Sequence, residues 1–292
     1  MAYVSLEAEA GPPPPFQRTR RFLRRFARSR MGMLGAGILA IFIVTAIFAP
    51  VLMPFDPYAV DLKQVARPPS WMHPFGTDKL GRDLLSRVMY GARTSLLLGL
   101  CVVVSATLIG LTLGAAAGYF RGMVDRVLVF LIDVLMTLPS IMIALAIASV
   151  LGPGLVSTTI AIAIAGVPRL ARVSRGAVLA IRGLDYVECA RGLGLTDAVI
   201  LRRHVVPNAV APIVVEASLL MAEAVLVAAG LGFLGLGVAP PTAEWGQMVA
   251  EGRGYIRTAP SIPLFPGFAI ILLALGFNLV GDGLRDTLDV RN

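Results

Sequence analysis

Several stretches of about 20 apolar residues recur along this chain of 292, and each is long enough to cross a bilayer as a helix. Inside lipid the backbone has no water to bond, so such stretches must satisfy their own amides as helices. A membrane β-barrel would instead alternate over ten-residue segments. Hydrophobic residues make up 57% of the chain and charged residues only 15%, more apolar surface than a soluble domain needs. The expected class is an all-α polytopic membrane protein.

The spans are expected at about 31–53, 94–119, 127–151, from 156 onward, 209–238 and 264–280. Six crossings put both termini on the same side. Eighteen of the 26 Lys and Arg then fall on inner segments and 8 on outer ones, which places both termini in the cytoplasm. The net charge of +8 therefore reflects topology, and nucleic acid is not an expected partner. Residues 1–30 form a cytoplasmic tail. Its start, through Pro12–Pro15, favours an extended, disordered chain. Arginines at 18, 20, 21, 24, 25, 28 and 30, with Phe22 and Phe26 on one face, suit an anionic lipid surface. The apolar run that follows is too long for a signal peptide.

Residues 31–93 hold the first span and an outer segment, whose part from Gly81 to Arg93 is expected to lie along the outer interface as an amphipathic helix. Residues 94–284 hold five more spans, and 285–292 form a cytoplasmic tail. Gly110, Gly114 and Gly118, four apart in the second span, would let another helix approach closely. The third span contains Asp133 and Pro139. The fourth carries Arg169, Arg172 and Arg175 as it emerges into the cytoplasm.

Between the fourth and fifth spans lies a soluble island, residues 185–208. It reads as two short helices around a turn. Asp185 and Glu188 have the spacing of a capping box. Gly194 suits a left-handed helix end, and Thr196 or Asp197 could cap the second helix. Arg202, Arg203 and His204 occupy its last turn, and Pro207 stops it and can open the next helix at its first position. A rigid charged hairpin between membrane spans is a natural grip for a cytoplasmic partner.

Catalysis has little support. The only histidines are His73 and His204, on segments expected on opposite sides of the membrane, and no His-Glu-x-x-His or paired-cysteine zinc motif occurs. Cys101 and Cys189 are expected to be small buried residues. Gly230-Leu231-Gly232-Phe233-Leu234-Gly235 fits a dinucleotide fingerprint, but it ends a membrane helix instead of following a strand. No phosphate-binding P-loop is present, so any ATP must be held by another chain. Asp133, Glu216 and Glu223 sit inside spans. A charge at the bilayer centre costs at least about 2.5–3.5 kcal/mol, so these acids should face protein or a polar pathway.

The island resembles the "EAA" motif of bacterial ABC importer permeases. Glu188, Ala190, Gly194 and Pro207 match it, while Cys189, His204 and Val206 depart mildly. Phe75–Asp83, Gly91–Leu96, Phe233–Val238 with Pro240, Pro241 and Glu244–Gly246, and Asn278–Asp286 resemble the C-type permease of dipeptide, oligopeptide and nickel importers. The resemblance covers roughly residues 30–292. It implies six helices with a MetI-like ABC importer permease core, in the bacterial inner membrane. It implies a heterodimer with a related B-type permease, two cytoplasmic ATPase subunits that bind ATP and magnesium, and an extracytoplasmic substrate-binding protein. No cofactor is implied in this chain. Glu188, Ala190, Arg191, Gly194, Arg202, Arg203, His204 and Pro207 would form the ATPase-coupling surface, and outer segments with Trp71 and Trp245 would face the binding protein. Peptides are the expected cargo. A nickel or other small-solute importer of the same family is the alternative, and an ion-driven secondary transporter, which would show internal inverted repeats, is the alternative from another class.

Overall fold

The protein, a computed structural model, is described over residues 23–288. The proline-rich start, Arg18, Arg20, Arg21 and Phe22 lie outside the described residues, as do residues 289–292 of the tail. The helices are α1 (Arg30–Leu52), α2 (Leu84–Phe120), α3 (Gly122–Met136), α4 (Ser140–Leu151), α5 (Leu155–Arg182), α6 (Asp185–Gly192), α7 (Asp197–Ile200), α8 (Val206–Phe233), α9 (Trp245–Gly252) and α10 (Ser261–Leu288). No strand occurs among the described residues, only an isolated bridge between Thr77 and Asp83.

Five continuous helical runs are long and apolar enough to cross a membrane: α1, α2, α5, the run Asp197–Phe233, and α10. The expected third span is two helices, α3 and α4, which meet at 88° and together are apolar enough to make a sixth candidate crossing. Pro139 has no amide to continue the helix and pushes Leu138 out of helical geometry. The Thr137 hydroxyl donates to the Val134 carbonyl at 2.6 Å, closing the end of α3.

Helix α5 lies along α2, and the crossing is as close as backbones allow. A Cβ at Gly110 would sit 2.7 Å from the Leu170 Cβ, and one at Gly118 would sit 2.8 Å from the Arg175 carbonyl oxygen. At Gly114 it would collide with the carbonyl of Ala171. Around this seam Leu98, Val102, Ala106, Leu170 and Val178 are buried, and α4 and α8 complete the cluster with Ala144, Ala209, Leu220 and Leu231. Cys101 lies off the buried stripe of α2, and Cys189 lies on the outer face of α6. Both are exposed free thiols, contrary to the expectation of burial.

Residues 81–93 are not a separate interfacial helix. Asp83 caps α2 by accepting from the Ser86 amide at 2.7 Å, and the helix then runs unbroken for 37 residues. Arg82, Asp83, Ser86 and Arg87 of this stretch are buried in protein, while Arg93 is exposed. Asp78 takes Arg82 Nε at 2.6 Å and Arg87 Nε at 3.4 Å, while Glu251 takes Arg82 Nη2 at 3.2 Å and Lys79 Nζ at 3.5 Å. Arg87 also donates to the Pro57 carbonyl at 3.1 Å. Trp245 is fully buried, donating to the Val88 carbonyl at 2.9 Å with Phe42 edge-on to its ring. Glu244 caps α9 through the amides of Gly246 and Gln247, at 2.9 and 2.8 Å. Burial pushes its carboxyl above the ordinary range, against the pull of those amides and the Ser95 hydroxyl.

The α2–α5 seam makes a paired expectation. Gly114→Val should lower the thermal midpoint of the detergent-solubilised protein, by about 1–3 kcal/mol of overpacking. Gly176→Ala, with open space around its added methyl, should leave it unchanged or raise it by about 0.5–1 kcal/mol. Equal midpoints for both variants would contradict the packing described.

Candidate functional site

The island is a braced hairpin hung beneath the helices. The sequence-level capping box does not form. Asp185 lies inside the first turn of α6, Leu184 precedes it, and no side chain caps the helix. Glu188 instead pairs with Arg191 Nη1 at 2.8 Å, because i,i+3 neighbours share a helix face. Gly194 turns the chain at φ +81°, which a Cβ would resist. Thr196 precedes α7 without a side-chain cap, and Asp197 accepts a 2.6 Å hydrogen bond from the Tyr119 hydroxyl at the end of α2.

Pro207 does not stop the helix. Leu201–Val205 wind as a π-helical turn in which the Val206 amide reaches back to the Leu201 carbonyl. The extra residue lets the chain enter α8 directly, with Pro207 in the first turn, where its missing N–H costs little. The Asn208 side chain covers the His204 carbonyl at 2.7 Å.

Inward, Val187, Ala190, Ile200 and Val205 are buried in the main core cluster. Outward, the hairpin shows Glu188, Arg202, Arg203 and Pro207. Arg191 and His204 are half-buried. The Arg191 guanidinium is held above its ordinary value, first by hydrogen bonding toward Tyr119 and then by the Glu188 charge. Leu193, at the tip, is 81% exposed, and Leu184 and Tyr186 at the start of α6 are exposed as well. The sequence reading passed over this apolar tip, although a lone leucine before the turn glycine was a visible signal.

The acids inside the spans have partners that sequence reasoning also missed. Arg169, Arg172 and Arg175 recur every three residues on α5 and face acids on two neighbouring helices. Arg169 Nε contacts Glu216 Oε1, and its Nη1 lies 2.9 Å from Glu223 Oε2, both on α8. Ser140, at the start of α4, donates to Glu223 Oε1 at 2.6 Å. Arg172 Nη2 contacts Asp133 Oδ1 on α3, and Arg175 grips Asp125 with two bonds of 2.6 and 2.8 Å. Glu216, Glu223 and Asp133 are therefore brought into one ladder of charges along α5. A hollow of about 210 Å³ opens beside it at the α3–α4 break, lined by Leu138, Ser140, Ile143, Pro168, Arg169 and Glu223. The three-residue arginine spacing was the available signal.

On the far side of the molecule Trp71 is fully exposed, whereas the burial of Trp245 removes it from any outer contact surface. No cluster of three or more His, Cys, Asp or Glu suited to a metal occurs among the described residues.

Residues 110–292 match the family described as binding-protein-dependent transport system inner membrane component. Residues 17–69 match the N-terminal membrane domain of oligopeptide transport permease C. The dipeptide transport system permease protein DppC of Alkalihalophilus pseudofirmus is 41% identical over 95% of this chain and 93% of its own length. A putative peptide transport system permease protein of Brucella suis is 44% identical over 92% of this chain and 90% of its own length. The glutathione transport system permease protein GsiD of Pectobacterium atrosepticum is 41% identical over 92% of this chain and 90% of its own. Among solved structures, a chain of the methionine ABC transporter MetNI, in an inward-facing conformation, superposes with a TM-score of 0.57. It is 20% identical and covers 69% of this chain and 96% of its own, a likeness of fold.

The brace between α2 and the island is directly testable. Tyr119→Phe removes the bond to Asp197 at a cost of about 1 kcal/mol. Amide hydrogen exchange across residues 185–205 should rise several-fold, as expected when a local opening becomes about 1 kcal/mol easier. Exchange unchanged from the native protein would show that the hairpin is held by its apolar anchors alone.

Proposed function

The chain belongs to the family of binding-protein-dependent transport system inner membrane components, and from that premise we propose that it carries peptides across the membrane within an ATP-driven importer. It is a multi-pass inner-membrane permease subunit of an ABC importer. The cargo follows from its relatives, which are named for dipeptides, peptides and glutathione. In this reading a related B-type permease completes the pathway, and two cytoplasmic ATPases bind ATP and magnesium. A binding protein delivers cargo to the outer face, and both termini lie in the cytoplasm.

The observation that carries the reading is the braced hairpin on a chain without a phosphate-binding loop. Leu193 at the exposed tip would enter a groove on one ATPase, with the Glu188–Arg191 pair beside it and Arg202, Arg203 and His204 facing the same partner. Ala190 holds the hairpin to the core, and Gly194 sets its turn. The run from Asp197 to Phe233 is helical throughout. Movement of the ATPases is thereby delivered without slack to Glu216 and Glu223 on α8. Asp197–Tyr119 and the buried Ile200 and Val205 make the hairpin a stiff lever.

Leu193→Asp and Glu188→Lys test this in proteoliposomes holding the whole importer. Each should lower ATP-dependent peptide uptake by at least about tenfold, the effect of losing an interface contact of roughly 2 kcal/mol, and leave the thermal midpoint unchanged. Full uptake in both variants would sink the coupling role. Import of nickel and no peptide by the native complex would sink the choice of cargo.

A further inference from the structure

We propose that Arg169, Glu216, Glu223 and Ser140 form a subsite that holds the ammonium group of a peptide in transit, at the break between α3 and α4. The proposal rests on the reading of the chain as a peptide permease and assigns a place along its pathway.

Solvation comes first. The Arg169 side chain is 46% exposed and that of Glu223 is 30% exposed, although both lie within membrane-spanning helices. Hydrocarbon cannot solvate these groups, so this face meets water or cargo. The break between α3 and α4 supports the same conclusion, since a non-helical backbone at membrane depth is tolerated where it lines a cavity. The hollow of about 210 Å³ lies at that break, and Arg169, Glu223 and Ser140 form its polar wall while Leu138, Ile143 and Pro168 form its apolar wall.

Charge decides what the hollow takes. One guanidinium, Arg169, faces two carboxylates, Glu216 and Glu223. The next arginines cannot make up the difference, because Arg172 is engaged by Asp133 and Arg175 by both oxygens of Asp125. One negative charge is left over at this partly enclosed face, where a cation from the cargo is favoured. Glu216 lies behind this wall, its buried Oε1 held against Arg169 Nε, so it adds charge and takes no direct contact with the cargo. A primary ammonium supplies one positive charge and three N–H donors, which suits the excess charge and the Glu223 and Ser140 oxygens that line the hollow. The apolar wall then receives the first side chain of the peptide.

The decisive measurement is equilibrium binding of radiolabelled trialanine to the detergent-solubilised permease–ATPase complex, without its binding protein. N-acetyl-trialanine, which lacks the charge, is the comparison. Trialanine should bind the native complex about tenfold or more tightly than the acetylated peptide, as for a lost charge-assisted hydrogen bond. Glu216→Gln and Glu223→Gln, which keep the side-chain shapes, should each reduce that preference. Equal binding of the two peptides by the native complex overturns the subsite, and so does an unaltered preference in both variants. Absence of trialanine binding overturns it too. A site that sheds its excess charge by protonating Glu216 would bind both peptides alike and falls under the first of these results. ATP-driven trialanine uptake by the full importer is read in parallel. If uptake is robust and the binding preference absent, only the subsite fails. If no peptide is imported, the peptide reading itself fails.

Discussion

A guanidinium within membrane-spanning helices dictates much of this structure. Arg169 is tolerable there only beside carboxylates, and Glu216 and Glu223 supply them from α8. The same constraint repeats down α5, where Arg172 and Arg175 take Asp133 and Asp125 from α3. Helices that share such pairs cannot slide independently without leaving charges bare, and breaking a partly desolvated pair costs more than the pair contributes. The ladder therefore ties three helices together at the point where one crossing is broken by Pro139. Apolar packing supplies the bulk of the adhesion, through the glycine seam of α2 and α5 and the fit of Gly166 on α5 against Leu220 on α8, and the charge pairs add to it.

The end of the bundle away from the hairpin is held by a second charged cluster with a different purpose. Asp78, Arg82, Arg87 and Glu251 join two segments far apart in sequence, and Arg87 is 1% exposed. Here the charges are compensated and enclosed, so the cluster acts as a rivet. Trp245 and Phe42 pack beneath it, and α2 gains a fixed outer end. The ladder within the spans is only partly enclosed and carries unequal charge. The two networks thus differ in enclosure and in charge balance.

Between the fixed outer end and the hairpin below, α8 is the natural transmitter. The π-turn at Leu201–Val205 removes the joint that Pro207 would otherwise impose, and Tyr119 clamps the hairpin to α2. One helical run thus joins the second half of the hairpin to Glu216 and Glu223.

Much was legible in the residues alone. Apolar runs of membrane length require helices, because lipid offers no partner to a bare amide. The glycines at 110, 114 and 118 marked a close crossing, Gly194 marked a left-handed turn, and acids within spans demanded company. Local pattern could not say who would keep that company. The arginines read as the end of a span, since their spacing shows where they lie on α5 and not what α8 and α3 bring to them. It also mistook Glu188 for a cap, Pro207 for a stop before the helix that it was rightly expected to open, residues 81–93 for an element apart from the span they begin, and Trp245 for outer surface. Each error has one cause: capping, termination and exposure were judged from neighbours in sequence, while the partners that settle them come from elsewhere in the chain. Sequence alone determined that this chain lives in a membrane as helices, because solvation of the backbone is a local matter. Only the tertiary structure decided which charges meet, because pairing in a low dielectric depends on distances that folding creates.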